Sequence, residues 1–142
     1  MKENINMTYI LKINEIPDIS KIAELYDDAG WSNYTKDLDV LLKAFYSSLC
    51  IITAWDNNEL VGVLRAVGDG MTIVYIQDIL VKKTYQRQGI GKLLINEVMN
   101  EYKNVRQKVL LTENESNTIQ FYKSCGFHTA QSYNTVAFVN FN

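Results

Sequence analysis

The chain has 142 residues, 47% hydrophobic and 21% charged, with a formal net charge of -2. This length suits one domain spanning residues 1–142, long enough to bury roughly 68–70% of its unfolded surface. The charge balance argues against a general electrostatic grip on nucleic acid, and no apolar run reaches the roughly 18 residues that cross a membrane.

Cys50 and Cys125 are the only cysteines. Each sits in an apolar pattern, so buried thiols are expected rather than a disulfide framework. One histidine, His128, offers no metal-ligand cluster, and no metal is expected. Residues 1–7 lack the apolar core of a signal peptide. A cytoplasmic location is the resulting expectation.

Residues 8–13 alternate as a first strand. Pro17 fits the first turn of a helix. Ile19, Ile22, Ala23 and Tyr26 form one face of that helix, and Gly30 closes it. A polar-aromatic connection over residues 30–35 contains Trp31 and Tyr34. Leu38, Leu41, Leu42, Phe45 and Leu49 mark a second helical face, with Thr35 or Asp37 as its cap.

Strands are expected over residues 50–55, 60–67 and 71–81. Turns at 56–59 and 68–70 join them into an antiparallel meander. After a polar loop at 82–85 comes Gln86-Arg87-Gln88-Gly89-Ile90-Gly91-Lys92. Leu93, Leu94, Val98, Met99 and Tyr102 then follow a helical period. Residues 108–112 form a strand, and a strand–helix–strand unit predicts a parallel pair with a right-handed crossover. Thr118, Phe121, Tyr122 and Cys125 mark a short helix closed by Gly126. Residues 133–141 read as a final strand or hairpin. The order β α α β β β α β α β predicts an α/β (α+β) domain with a mixed sheet and helices on both faces.

The turn at 86–92 carries the chemistry. Amides at a helix start lack intrahelical partners and carry partial positive charge. Gly89 and Gly91 let an anion approach the backbone, so residues 88–92 can point several N–H groups at one phosphate. Arg87, Lys92, Lys82 and Lys83 supply charge nearby. The dinucleotide fingerprint is excluded because Leu94 stands where a third glycine belongs. The NTPase loop is excluded because Leu93 follows Gly91-Lys92 where a hydroxyl is required. On these residues alone, an anion site and a plain strand-to-helix turn are equally good readings.

Gln86-Arg87-Gln88-Gly89-Ile90-Gly91 resembles the Gln/Arg-x-x-Gly-x-Gly/Ala signature of the GNAT superfamily of N-acetyltransferases. Asn117-Thr118-Ile119-Gln120-Phe121-Tyr122-Lys123-Ser124-Cys125-Gly126-Phe127 is similar to that family's second motif, with its usual alanine out of register. The resemblance covers nearly the whole chain. It implies a central splay in the sheet and acetyl-coenzyme A as acyl donor. It assigns the pyrophosphate to Gln86, Arg87, Gln88, Gly89, Ile90, Gly91 and Lys92. It assigns the pantetheine arm to the backbone of Ile79, Leu80 and Val81, with an N–H near Val81 polarising the acetyl carbonyl. Asn117 is assigned a contact near the thiol. Tyr122 is assigned as the acid for the departing thiolate, although its helical spacing also suits a core residue.

An amine must lose its proton to attack. The family often places a glutamate on the central strand, but here Asp78 is the only carboxylate there and the candidate base. Strict alternation puts it on the face opposite Tyr75 and Gln77. A solvated or backbone-bonded Asp78 is the alternative. Trp31, Tyr34 and Tyr133 are candidates for the acceptor pocket, with Asp27, Asp28 and Asp69 as acids near it. Arg65 is either an ion pair at the core edge or a contact to the acceptor. The expected activity is acetyl transfer from acetyl-coenzyme A to a primary amine of a small molecule, by direct attack in a ternary complex, and a homodimer is among the expected assemblies. The alternatives are an acyl-coenzyme A sensor without catalysis, or acetylation of a protein N-terminus or lysine.

Overall fold

The computed structural model describes residues 9–142. They group into two compact units, one running up to Leu111 and the other Thr112–Asn142. The first holds a five-stranded sheet in the order β1-β2-β3-β4-β5. Its strands are β1 (Ile10–Ile13), β2 (Cys50–Asp56), β3 (Glu59–Gly68), β4 (Ile73–Val81) and β5 (Gln107–Leu110). The first four pair antiparallel and β5 joins β4 in parallel, so the mixed sheet is as expected. Thr8, the first residue of the expected strand, lies outside the described residues.

Helices cover both faces. α1 (Ile19–Asp28) and α3 (Leu38–Tyr46) pack Ile22, Leu25, Tyr26, Leu41 and Phe45 onto Ile51, Trp55, Leu60, Val63 and Leu80. The side chain of Asp37 caps α3 by accepting from Val40 N at 3.2 Å. Between them, residues 32–35 form a short helix, α2 (Ser32–Thr35), where the sequence suggested only a connection. α4 (Ile90–Glu101) covers the other face with Ile90, Leu94, Ile95 and Val98. Gly62 makes that approach possible. A Cβ there would meet Ile90 Cγ2 at 3.0 Å and Leu94 Cδ1 at 3.3 Å.

Two departures from regular pairing shape the middle of the sheet. Opposite β3, Arg65 faces Asp78 but Ala66 faces Ile76, so Gln77 is an extra residue on β4. Along the other edge of β4, β5 pairs only with residues 73–76, up to Ile76 opposite Leu110. Among the described residues, 77–81 therefore have a strand on one side alone. This is the expected splay, and it begins at the bulge.

The second unit holds α5 (Ser116–Ser124) and a 3₁₀ turn, Ala130–Tyr133. The expected strand over 133–141 is corrected here: among the described residues, 134–142 carry no strand pairing. A β-like sequence becomes a strand only when a partner satisfies its backbone. Cys50 is buried, while Cys125 is only half-buried rather than buried as its pattern suggested. Among the described residues, no helix is long and apolar enough to cross a membrane. Nor do three or more His, Cys, Asp or Glu residues gather to hold a metal.

Candidate active site

The turn between β4 and α4 is built around left-handed backbone. Arg87 has φ 65° and Gly89 has φ 87°. A non-glycine residue at positive φ is unusual, and such conformations concentrate at ligand-binding turns. The first intrahelical bond of α4 runs from Leu93 N to Gly89 O. Among the described residues, the N–H groups of 87–92 donate to no protein acceptor. Nothing lies within 4 Å of a Cβ built at Gly89. The result is an open cradle of outward amides at a helix start, suited to a pyrophosphate.

Neighbouring side chains hold the cradle in place. The Tyr9 hydroxyl donates to Gln88 Oε1, and its ring packs edge-on against Tyr85 with centroids 6.2 Å apart. Tyr85 donates to Asp56 Oδ2 at 2.7 Å, across the β2–β3 hairpin. Gln86 Nε2 donates to Val81 O at 3.2 Å, tying the turn to the end of β4. Lys82 is not a free charge at the mouth, as the sequence suggested, because Glu24 and Glu59 both pair with it. Arg87 and Lys92 have no carboxylate partner among the described residues.

At the bulge, the sequence reading of faces is corrected. Tyr75 opposes Val67 and Asp78 opposes Arg65, and those two β3 residues share a face. The extra residue Gln77 shifts the parity, so Tyr75 and Asp78 lie on the same face. Gln77 turns its amide to that face too, donating to Tyr34 Oη at 3.2 Å.

Asp78 is the hub of a buried polar group. It is 1% exposed. Its Oδ2 accepts from Tyr26 Oη at 2.8 Å and from Arg65 Nε at 2.8 Å, and its Oδ1 accepts from Tyr34 Oη at 3.0 Å. Arg65 is thus an ion-pair partner of Asp78. Burial, reinforced by the Asp78 carboxylate, pushes the Tyr26 phenol far above its usual range. Tyr34 shifts upward chiefly through burial, less strongly. Trp31 stacks on Tyr34 with centroids 5.8 Å apart and planes at 27°. Two predicted pocket residues, Trp31 and Tyr34, are therefore brought together beside Asp78. Asp28 accepts from Lys83 N at 2.8 Å. Asp69 is a turn residue, accepting from Met71 N, Thr72 N and Ile73 N.

In the second unit, Asn117 and Tyr122 lie on α5. Tyr122 packs edge-on against Phe121 and Phe127, and burial pushes its phenol up to about 12. Tyr133 ends the 3₁₀ turn, largely exposed, with its ring edge-on to His128 at 5.9 Å.

Sequence reasoning did not single out Tyr9, Tyr26 or Gln77. Its helical spacing makes Tyr26 one of several apolar-face residues, and its hydroxyl partner lies 52 positions away. Gln77 carries no local signal for a bulge. The one available clue was Arg65, a charge inside an apolar strand that needs a buried counter-charge.

Comparison with known proteins gives a consistent result. A family model described as "Acetyltransferase (GNAT) domain" matches residues 47–129. A GNAT family acetyltransferase structure from Streptococcus pneumoniae superposes with a TM-score of 0.84 at 34% identity, covering 94% of this chain and 98% of that one. A relative named "Uncharacterized N-acetyltransferase ycf52-like" from Prochlorococcus marinus is 25% identical over 142 residues, covering 97% of this chain and 78% of its own length. The structure of an aminoglycoside N-acetyltransferase in complex with CoA aligns over 94% of this chain and 95% of that one. Its TM-score is 0.68 at 17% identity, a likeness of fold.

Proposed function

The chain belongs to the GNAT acetyltransferase family, and from that premise we propose that it moves an acetyl group from acetyl-coenzyme A to the primary amine of a small molecule. The observation that carries this reading is the splay: residues 77–81 lack a strand on one side and lead directly into the amide cradle at 87–92. A pyrophosphate on the cradle and an amide-bearing arm along Ile79, Leu80 and Val81 match those two features in order. The aminoglycoside enzyme of the same fold, recorded with CoA, supports both the donor and an amine acceptor.

Gln86, Arg87, Gln88, Gly89, Ile90, Gly91 and Lys92 bind the phosphates through amides and the Arg87 and Lys92 cations. The Val81 region supplies an N–H to the acetyl oxygen, where preorganised donors stabilise developing charge. The neutral amine attacks the acetyl carbon in a ternary complex, the carbon–sulfur bond breaks, and the proton the nitrogen sheds passes to water, which returns one to Tyr122 after each turnover. Tyr122 gives its phenolic proton to the departing thiolate, with Asn117 alongside. Its elevated pKa keeps that proton in place at neutral pH. Trp31 and Tyr34 form the aromatic wall of the acceptor site, and Tyr133 is a further candidate for it. Asp78 serves by position, since three donors occupy it. It fixes Tyr34 and, through Tyr34, the Gln77 amide.

That saturation of Asp78 also favours a second reading, a coenzyme A sensor without a base. Isothermal calorimetry with acetyl-coenzyme A, followed by an acetyl-transfer screen against aminoglycosides, polyamines, amino acids and peptides, separates them. Micromolar binding with turnover of a small amine is expected. Binding without turnover selects the sensor, turnover of peptides alone selects a protein acceptor, and no binding at millimolar donor ends the proposal.

A further inference from the structure

Gln77 is the first residue of the half of β4 that β5 leaves open, and it is exposed. The donors behind it decide which way its amide points. Asp78 is ion-paired with Arg65 at 2.8 Å and accepts at both of its oxygens. The single hydroxyl hydrogen of Tyr34 goes to Asp78 Oδ1, so Tyr34 Oη can only accept from Gln77. The atom that donates to it is therefore Nε2, 3.2 Å away. Among the described residues, Gln77 Oε1 then accepts from no protein donor. Tyr34 is itself held in place, stacked on Trp31 and packed against Tyr26 with ring centroids 5.3 Å apart. The outcome is a positioned, vacant hydrogen-bond acceptor beside an aromatic wall. It carries no charge, because the Asp78 carboxylate behind it is already matched by Arg65.

We propose that Gln77 determines acceptor specificity: its Oε1 accepts a hydrogen bond from a neutral donor, a hydroxyl or an amide N–H, carried by the acceptor at a distance from its reacting amine. This rests on the acetyl-transfer reading above, in which the acetyl group lies at the Val81 end of the splay. At about 3.3 Å per residue, Val81 is about 13 Å from Gln77 along β4. An acceptor that reaches both ends is therefore extended, with the amine at one end and the donor at the other. The missing charge sets the kind of donor. A second ammonium would give up hydration at Gln77 and meet no unpaired carboxylate there, whereas a neutral O–H or N–H exchanges one hydrogen bond for another.

The test compares three primary amines of equal chain length that differ only at the far end: aminooctanol, octylamine and diaminooctane. Steady-state acetyl transfer is measured for the full chain and for its Gln77→Leu and Gln77→Glu variants, with acetyl-coenzyme A calorimetry to show that each variant is folded. In Gln77→Leu, the kcat/KM ratio of aminooctanol to octylamine is expected to fall about three- to tenfold, the worth of one neutral hydrogen bond, and the change is expected in KM. In Gln77→Glu, the ratio of diaminooctane to aminooctanol is expected to rise at least tenfold, because a carboxylate pairs with the second ammonium. A purely structural Gln77 would change all three amines by one common factor and leave both ratios as they were; that result overturns the proposal while acetyl transfer stands. A fall confined to kcat overturns it as well. Bound donor with no turnover of any of the three amines overturns the acetyl-transfer reading and this proposal together.

Discussion

Asp78 and Tyr122 are both polar groups inside apolar surroundings, and their partners set different consequences. Asp78 faces a guanidinium and two phenols, so its removal leaves Arg65 buried and uncompensated. Breaking such a pair costs about 3–5 kcal/mol, so Asp78→Ala is expected to lower unfolding free energy by about that much in urea titration. The double variant R65M/D78L is expected to lose far less than the sum of the single changes, because no charge is stranded. Tyr122 has no carboxylate partner among the described residues, and burial raises its phenol to about 12. As an acid it must stay protonated, and a raised pKa extends that state to higher pH. The turnover profile is therefore expected to rise with amine deprotonation and show no falling limb below pH 10. Tyr122→Phe is expected to reduce kcat about 10²–10⁴-fold while calorimetry shows little change in acetyl-coenzyme A affinity.

At the scale of elements, two glycines make separable predictions. Gly62 lies under α4, where a Cβ meets Ile90 at 3.0 Å. Gly62→Ala is expected to cost about 1–3 kcal/mol by overpacking, read in the urea midpoint, with donor affinity little changed. Gly89 has open space around it but φ 87°. Gly89→Val strains the turn and fills the cradle, so a weaker calorimetric donor affinity is expected to exceed any stability loss. The turn was legible because its glycines, its cations and the following helical period are local. The meander and the parallel pair were legible because alternation and turn residues repeat over short distances. The bulge was not, since nothing at Gln77 differs from ordinary strand sequence, and its one-residue shift reversed the face assigned to Tyr75 relative to Asp78. The Tyr26–Asp78 and Tyr9–Gln88 contacts join residues 52 and 79 positions apart, beyond any periodicity. The C-terminal strand was overread for the opposite reason: composition specifies a strand, but only a partner edge makes one.

At the scale of the molecule, the splay divides stability from binding. The first unit has its own core on both faces of the sheet, yet the opened half of β4 and the cradle contribute unpaired backbone groups to it. The second unit has only 31 residues and no buried residue on α5. Chains below about 40 residues rarely hold a fold unaided. A ligand that pairs with the open backbone binds only the folded state and so raises its stability by mass action. At a free donor concentration of 100 times Kd, the gain is about 2.7 kcal/mol. For a chain of this size that corresponds to a rise in Tm of about 6–12 °C. Scanning calorimetry with increasing acetyl-coenzyme A is expected to show this rise, logarithmic in donor concentration. The Gly89→Val variant is expected to need proportionally more donor for the same shift. Free acetate at equal concentration is expected to leave Tm unchanged, since it spans neither the cradle nor β4. A Tm that ignores the donor in the wild-type chain would show that the splay does not bind it.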